Sequence, residues 1–150
     1  MINIALYQPD IPQNTAAIIR TCACLGLRLE IIKPTGFIFN ERKLDRIYMD
    51  YLEKCEIFYH KNFEEFLETK NLENIILFTT KAKKRYFKHN FKKEDTLLFG
   101  SESKGVHQKV HDKVVYKLNI PINIETRSLN LASSVAIGAS EALRQIHINR

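Results

Sequence analysis

The sequence predicts an α/β fold: a mostly parallel sheet flanked by helices. Two observations lead to this class, and a third bears on the number of domains. Short apolar runs typical of strands alternate with segments of helical periodicity. Two of the runs, IILF at 75–78 and TLLFG at 96–100, are apolar on both faces, as parallel strands covered by helices are. Finally, the 150 residues contain no repeat, low-complexity stretch or linker, so residues 1–150 are expected to form a single domain.

The first half of the chain reads as two strand–helix units. INIALY at 2–7 predicts a strand, and PDIPQ predicts a turn. NTAAIIRTCACLG at 14–26 predicts a helix with Asn14 as its N-cap and Gly26 as its C-cap. LRLEIIKP at 27–34 predicts a second strand that ends at Pro34. NERKLDRIYMDYLEK at 40–54 predicts a helix, because one face carries four apolar residues: Leu44, Ile47, Tyr48 and Tyr51.

The second half continues the alternation. CEIFYH at 55–60 predicts a short strand and NFEEFLETK at 62–70 a short helix. Three further strands are predicted at 74–80, 95–100 and 114–120, with a loop and short helix at 101–111. A long helix rich in small residues closes the chain, with Ser128 as its predicted N-cap and Asn130 in its first turn. If those three strands are neighbours, the loops that follow them converge on one edge of the sheet, where α/β proteins bind ligands.

Composition and charge limit the classes of protein. The N-terminus lacks the pattern of a secretory leader and no apolar run reaches the ~20 residues of a membrane span, so a soluble, cytoplasmic protein is expected. The net charge is +6, and seven of the 23 Lys and Arg residues fall in KAKKRYFKHNFKK at 81–93, together with three aromatic residues. This basic segment is either a solvated loop or a surface that binds phosphates and stacks bases.

Common catalytic and metal-binding patterns are missing from the sequence. The three cysteines, Cys22, Cys24 and Cys55, lack the spacing of a disulfide framework or a zinc site, so no metal is expected. The simplest interpretation of Cys22 and Cys24 is two buried or half-buried residues on a helix. GSESKG at 100–105 is not a Walker A loop, because Val106 follows the second glycine. Arg20 lies within an apolar helix and, taken alone, is expected on its solvent face.

Three segments, in order, resemble the motifs of the SPOUT superfamily of RNA methyltransferases: NTAAIIRTCACLG, LLFGSESKG and IPINIETRSLNLASSVAIGASEAL. From Met1 to about Gln145 the chain is similar to the small bacterial tRNA (cytidine/uridine-34) 2′-O-methyltransferases, which modify the wobble nucleotide. The resemblance implies a C-terminal deep trefoil knot, S-adenosylmethionine as methyl donor, tRNA as substrate, and a homodimer with its active site at the subunit interface. The small residues of the last helix would then pack against the partner subunit or the threaded loop.

The resemblance also assigns residues. The implied catalytic set is Asn14, Arg20, Glu102 and Asn130, and the implied cofactor-binding set is Phe78, Gly100, Ile120 and Ser128. The family's need to bind RNA favours the second interpretation of the basic segment, through Lys81, Lys83, Lys84 and Arg85, with Arg46 and also Arg28 and Arg42 as further candidates. Three positions depart from the family pattern: Ala16, Ser101 and Lys104.

Two alternative functions remain open at the level of sequence. The first is 2′-O-methylation at another site of tRNA or of ribosomal RNA, because residues do not name a nucleotide. The second is a non-catalytic α/β binding module, flavodoxin-like or RNA-binding, which would have no need for Asn14, Arg20, Glu102 and Asn130 together.

Overall fold

The computed structural model describes residues 1–38 and 51–148. The strands in this part of the chain are β1 (Asn3–Tyr7), β2 (Arg28–Ile32), β3 (Ile57–His60), β4 (Ile75–Phe78), β5 (Thr96–Phe99) and β6 (Tyr116–Leu118). The α-helices whose bounds lie wholly within the described residues are α1 (Pro12–Leu25), α2 (Phe63–Glu68), α3 (Gln108–Lys113) and α4 (Leu131–Ile148). Most of the helix predicted at 40–54 lies outside the described residues.

The six strands form one sheet in the order β3-β2-β1-β5-β4-β6, and every pairing is parallel. This confirms the predicted fold class. Strands β5, β4 and β6 are adjacent, so the loops that follow them lie at the same edge of the sheet. All residues of β4 and β5 are buried, as their apolar sequences predict.

Apolar side chains cover both faces of the sheet. On one face, Ile4 and Leu6 belong to a buried cluster that includes Ile18 of α1 and Val135 of α4. On the other face, a second cluster joins the sheet to α2 and α3 through Phe66 and other residues: Tyr7, Phe63, Leu77 and Val110. The alternation of side chains along each strand produces this division, since successive residues point to opposite faces.

Helix α1 begins two residues before the predicted start. Pro12 occupies the first turn, where a missing N–H costs nothing and the fixed φ suits a helix, so the prediction of Asn14 as N-cap is wrong. Gly26 is the C-cap with φ of 64°, as predicted. Along this helix Cys22 is buried, as expected, but Cys24 is exposed, so the expectation of a buried or half-buried thiol is wrong for Cys24.

Helix α4 begins later than predicted, and its cap is Asn130 instead of Ser128. The Asn130 Oδ1 atom accepts a hydrogen bond from the Ser133 N–H (3.3 Å), while the Asn130 carbonyl accepts one from the Ser134 N–H (3.0 Å). Further along, Gly138 faces the rings of Phe78 and Phe99: a Cβ atom there would lie 3.0 Å and 3.3 Å from their Cζ atoms. Within this chain, the small residue therefore lets α4 lie close to the sheet.

Candidate active site

A pocket of about 420 Å³ opens at the carboxyl ends of β4, β5 and β6. Its walls come from the three loops predicted to converge, together with the start of α1 and of α4. The lining residues include Thr79 and Thr80 after β4, Ser101 and Val106 after β5, and Ile122 and Leu129 between β6 and α4. The pocket therefore occupies the position at which parallel sheets bind ligands.

Seven of the eight residues assigned by resemblance to catalysis and cofactor binding line this pocket: Asn14, Phe78, Gly100, Glu102, Ile120, Ser128 and Asn130. They come from five separate parts of the chain, so the fold brings together what the sequence separates. Arg20 is the exception. It is exposed on α1, and its guanidinium carbon lies 5.0 Å from the centre of the Tyr51 ring.

The loop after β5 is closed by backbone contacts. The Ser101 N–H donates to the Gly105 carbonyl (3.0 Å), and the Gly105 N–H donates to the Ser101 carbonyl (2.9 Å). This closure brings Gly105 so near that a Cβ on Gly100 would lie 2.5 Å from its carbonyl carbon. Gly105 has φ of +66°, the left-handed region that glycine adopts without strain. The closed loop therefore requires glycine at position 100 because of the close approach, and favours it at position 105 because of the positive φ.

Glu102 caps α1 from this loop. Its Oε2 accepts from the Asp10 N–H (2.8 Å), and its Oε1 accepts from the Ile11 N–H and from Asn14 Nδ2 (3.3 Å each). Helix α1 has no side-chain cap of its own, and a carboxylate at a helix N-terminus is stabilised by the free N–H groups and the helix dipole. Glu102 therefore fixes the start of α1 against the pocket.

Asn14 and Asn130 extend this contact to α4. The Nδ2 of Asn130 donates to the Oδ1 of Asn14 (2.9 Å), whose own Nδ2 donates to Glu102. Each amide group thus uses its nitrogen as donor and its oxygen as acceptor, in one consistent direction from the α4 cap to Glu102. The N-termini of two helices and the loop after β5 are connected through three side chains.

An acid pair accompanies this network. Burial, and then contact with Asp10, raise the pKa of Glu102, whereas hydrogen bonding from Glu102 and Ser103 lowers the pKa of Asp10. Ser103 Oγ also donates directly to Asp10 Oδ2. The sequence analysis did not identify Asp10 and Ser103. Neither residue is among those assigned by the motifs, and the contact between them joins segments that are far apart in the sequence.

The basic segment, residues 81–93, is attached to the end of β6. The Asn119 N–H donates to the Lys84 carbonyl (2.8 Å), and the Tyr86 N–H donates to the Asn119 carbonyl (2.9 Å). Farther along, Gln145 of α4 donates to the His89 carbonyl and accepts from the Phe91 N–H, both at 3.0 Å. The predicted RNA ligands of this segment, Lys81, Lys83, Lys84 and Arg85, are all exposed.

The structure does not place the other predicted RNA ligands, Arg28, Arg42 and Arg46, beside the basic segment. Arg28 is the first residue of β2, at the amino end of the strand, and its Nε lies 2.9 Å from Glu56. Arg28 therefore lies at the amino ends of the parallel strands and does not extend this surface within the chain, so its position does not support the predicted phosphate contact. Arg42 and Arg46 lie outside the described residues.

Two properties bear on the class of site. Among residues 1–38 and 51–148, no group of three His, Cys, Asp or Glu side chains is arranged to hold a metal ion. No helix in the same part of the chain combines the length and apolar character needed to cross a membrane.

The fold and the pocket define an α/β protein whose ligand site is built from loops at the carboxyl edge of a parallel sheet. Residues 1–140 match the SpoU rRNA Methylase family, and the chain belongs to this family.

Relatives and solved structures resemble the chain over nearly its full length. A protein of Beijerinckia indica named tRNA (cytidine(34)-2′-O)-methyltransferase is 41% identical over 95% of this chain and 91% of its own length. The protein of that name from Escherichia coli K12 is 37% identical over 97% of this chain and 94% of its own. A structure solved to explain 2-OH methylation of C/U34 on tRNA has a TM-score of 0.90 at 37% identity and covers 98% of this chain and 91% of that one.

Proposed function

We propose that this protein transfers a methyl group from S-adenosylmethionine to the ribose 2′-oxygen of the wobble nucleotide, cytidine or uridine 34, of tRNA. The observation that carries the proposal is the pocket: residues from three family motifs line one cavity at the carboxyl edge of the sheet. Relatives at 37–41% identity over 95–97% of the chain bear the name of this activity.

The pocket suits the proposed methyl donor. Its volume of about 420 Å³ falls within the range of small-molecule sites, roughly 300–1,000 Å³. Phe78 and Ile120 supply apolar surface for a nucleobase, while Ser128 and the backbone around Gly100 supply polar groups. When bound, S-adenosylmethionine supplies a methyl group activated by a sulfonium, so the protein has to align the acceptor and make its hydroxyl nucleophilic.

Arg20 is proposed to act on the 2′-hydroxyl. A guanidinium stays protonated at neutral pH, so Arg20 does not accept the hydroxyl proton. It would stabilise the developing negative charge or hold an adjacent phosphate that helps to accept the proton. Asn14 lies on the same helix, and its bonds to Glu102 and Asn130 fix the start of that helix. Asn14, Glu102 and Asn130 thereby fix the position of α1 and with it the side of the helix on which Arg20 lies.

A homodimer with its active site at the subunit interface is also part of the proposal. The position of Arg20 supports this. Arg20 follows Asn14 by six residues, so it lies about 9 Å from Asn14 along the axis of α1 and about 120° around that axis. Because Asn14 lines the pocket, Arg20 does not face the pocket of its own chain. Leu25, 41% exposed on the same helix, is an apolar residue that a partner would cover. We propose that Arg20 of one subunit serves the pocket of the other.

The decisive experiment compares Arg20→Ala with Arg28→Ala, which removes a half-buried arginine at the amino ends of the strands. Methyl transfer to purified tRNA is measured with the modified nucleotide mapped, and S-adenosylmethionine binding is measured by calorimetry. Arg20→Ala should bind the donor and lose transfer, whereas Arg28→Ala should retain both. Full turnover by Arg20→Ala would refute the role of Arg20, and a methyl group mapped elsewhere would refute the choice of nucleotide.

The arrangement across the interface has its own test. Arg20→Ala and Asn130→Ala chains are mixed, dissociated and allowed to reassociate, and methyl transfer is measured against each variant alone. If the site is composite, a mixed dimer has one intact site, and transfer should return to about half of the wild-type rate per mixed dimer. Transfer that stays at the level of the single variants would place Arg20 and the pocket within one chain.

Methylation of ribosomal RNA is the second candidate, because the family to which the chain belongs is described by that substrate. The same mapping experiment separates the two, using ribosomal RNA and tRNA as competing substrates.

We further propose that residues 1–150 form one domain and that the segment before α4 threads a deep trefoil knot. In support, this segment touches the loop after β4 through Asn119 and the start of α1 through Asn130. One cooperative unfolding transition seen by both circular dichroism and fluorescence is expected for one domain, and a crystallographic backbone trace would decide the knot.

A further inference from the structure

The three aromatic residues of the basic segment have different surroundings. Phe91 is 7% exposed, and its ring lies parallel to Phe78 with centroids 6.5 Å apart. Tyr86 is half-buried and packs against the core. Phe87 is 46% exposed, so it presents its ring to solvent while its two aromatic neighbours anchor the segment.

The Phe87 ring is held in place. Phe87 lies in a short 3₁₀ turn, Tyr86–Lys88, in which the Lys88 N–H donates to the Arg85 carbonyl (3.0 Å) and the His89 N–H to the Tyr86 carbonyl (3.1 Å). The Tyr86 ring meets the Phe87 ring edge-on, with centroids 5.4 Å apart. An exposed ring that is already ordered loses little conformational freedom when a flat ligand stacks on it.

Positively charged residues flank Phe87 along the chain. The five Lys and Arg residues between 81 and 88 are all exposed: Lys81, Lys83, Lys84, Arg85 and Lys88. A second copy of this surface would bring like charges together, which disfavours a symmetric self-contact. A polyanion with planar groups complements both the charge and the exposed ring, and single-stranded RNA has this chemistry.

Phe87 also lies near the pocket. Arg85 pairs with Asn119 in a parallel β-bridge, and the next residue, Ile120, lines the pocket. With about 3.8 Å between consecutive Cα atoms and about 4.8 Å between paired strands, the Cα of Phe87 lies within about 16 Å of the Cα of Ile120. A nucleotide stacked on Phe87 would therefore be close along the strand to the nucleotide in the pocket.

We propose that Phe87 stacks on an unpaired base of the substrate RNA near the target nucleotide, while the flanking Arg85 and Lys88 contact its phosphates. The proposal rests on the proposed function for the identity of the RNA. It adds a stacking residue that lies outside the three family motifs.

The experiment measures tRNA affinity by fluorescence anisotropy across a series of salt concentrations, with unmodified tRNA as the probe. Phe87→Leu, which keeps an apolar side chain but no aromatic ring, should weaken binding roughly 5- to 150-fold at every salt concentration, since one stack contributes about 1–3 kcal/mol. The salt dependence should stay unchanged, because no phosphate contact is lost. Phe87→Trp should restore the affinity, and S-adenosylmethionine binding should match the wild type throughout.

Phe58→Leu is the matched control, because Phe58 is 41% exposed, lies next to Arg28 and belongs to the opposite edge strand. It should leave tRNA affinity unchanged. Equal affinity of Phe87→Leu and wild type overturns the stacking proposal and leaves the proposed function intact if tRNA is still methylated. A change of oligomeric state in Phe87→Leu, measured by light scattering, with tRNA affinity unchanged would instead make Phe87 a protein contact and likewise overturn it.

Failure of the proposed function gives a different result. If the wild type methylates no tRNA but binds a single-stranded oligouridylate in a Phe87-dependent way, the ring is a stacking site and the proposed substrate is wrong. Absence of any RNA binding by the wild type overturns both proposals.

Discussion

Replacement of Gly100 by alanine should disrupt the loop after β5 and the pocket with it. The new Cβ would lie 2.5 Å from the carbonyl carbon of Gly105 and 2.6 Å from its Cα. Both contacts are with backbone atoms, so no change of side-chain rotamer relieves them. The loop has to open, and the two backbone hydrogen bonds between Ser101 and Gly105 are its closure.

The loss of stability caused by Gly100→Ala follows from the hydrogen bonds that are broken when the loop opens. Two backbone hydrogen bonds contribute about 1 kcal/mol each, and displacement of Glu102 removes the acceptor for three donors at the start of α1. We therefore expect Gly100→Ala to lower the free energy of unfolding by about 2–4 kcal/mol. Gly105→Ala is the matched control: its φ of +66° carries a penalty of about 1–2 kcal/mol, but its Cβ would meet nothing within 4 Å.

Urea denaturation gives both free energies of unfolding, and calorimetry gives the affinity for the proposed donor, S-adenosylmethionine. Gly100→Ala should be the less stable of the two variants and should lose at least about tenfold in donor affinity, while Gly105→Ala should bind the donor nearly as well as the wild type. A Gly100→Ala protein as stable as Gly105→Ala, with unchanged donor binding, would refute the argument from close approach.

Three further predictions concern the network and α4. A double-mutant cycle on Asn14→Ala and Asn130→Ala, followed by urea denaturation, should give a coupling energy of about 0.5–1.5 kcal/mol, since the two amides hydrogen-bond directly; additive effects would contradict this. Gln145→Leu leaves two backbone groups of the basic segment without partners, so it should lower stability by about 1–3 kcal/mol and speed amide exchange at Phe91; unchanged exchange would argue against the anchor. Hydrogen bonds from Arg144 lower the pKa of Glu141 below its ordinary 4.5, so the stabilisation is present above pH 4.5 and is lost as the pH falls through the lowered pKa. Glu141→Gln should therefore be less stable than the wild type at pH 7, and the difference in urea midpoint should shrink in acid; a constant difference would count against the ion pair.

The sheet and the position of the pocket could be predicted from the sequence, because both depend on patterns local to each strand. Apolar runs such as IILF indicate strands that are covered on both faces, and parallel strands direct the loops after them to one edge. The sequence did not predict which residues cap the helices. The cap of α1 is Glu102, which lies 88 residues from Asn14, and local sequence preference carries no information about such a partner.

The position of Arg20 illustrates a second limit. The expectation from residue type alone, a solvent-facing arginine, describes the single chain correctly. The resemblance assigned Arg20 a role in catalysis, and the pocket of its own chain does not include it. An exposed Arg20 can still act in catalysis if it reaches the pocket of a partner subunit. Local periodicity in the sequence of one chain does not indicate such a contact.

The bonds that build the pocket span very long stretches of chain: 88 residues for Asn14 to Glu102 and 116 for Asn14 to Asn130. During synthesis α1 leaves the ribosome early, but the carboxylate that caps it and the amide that binds Asn14 follow much later. Contacts of this range form slowly, because the entropy of loop closure is lost before they contribute any stability. The complete pocket is therefore expected only in the last stage of folding, since a nascent chain that ends before Asn130 lacks both the amide that binds Asn14 and the helix α4 that supplies part of the wall.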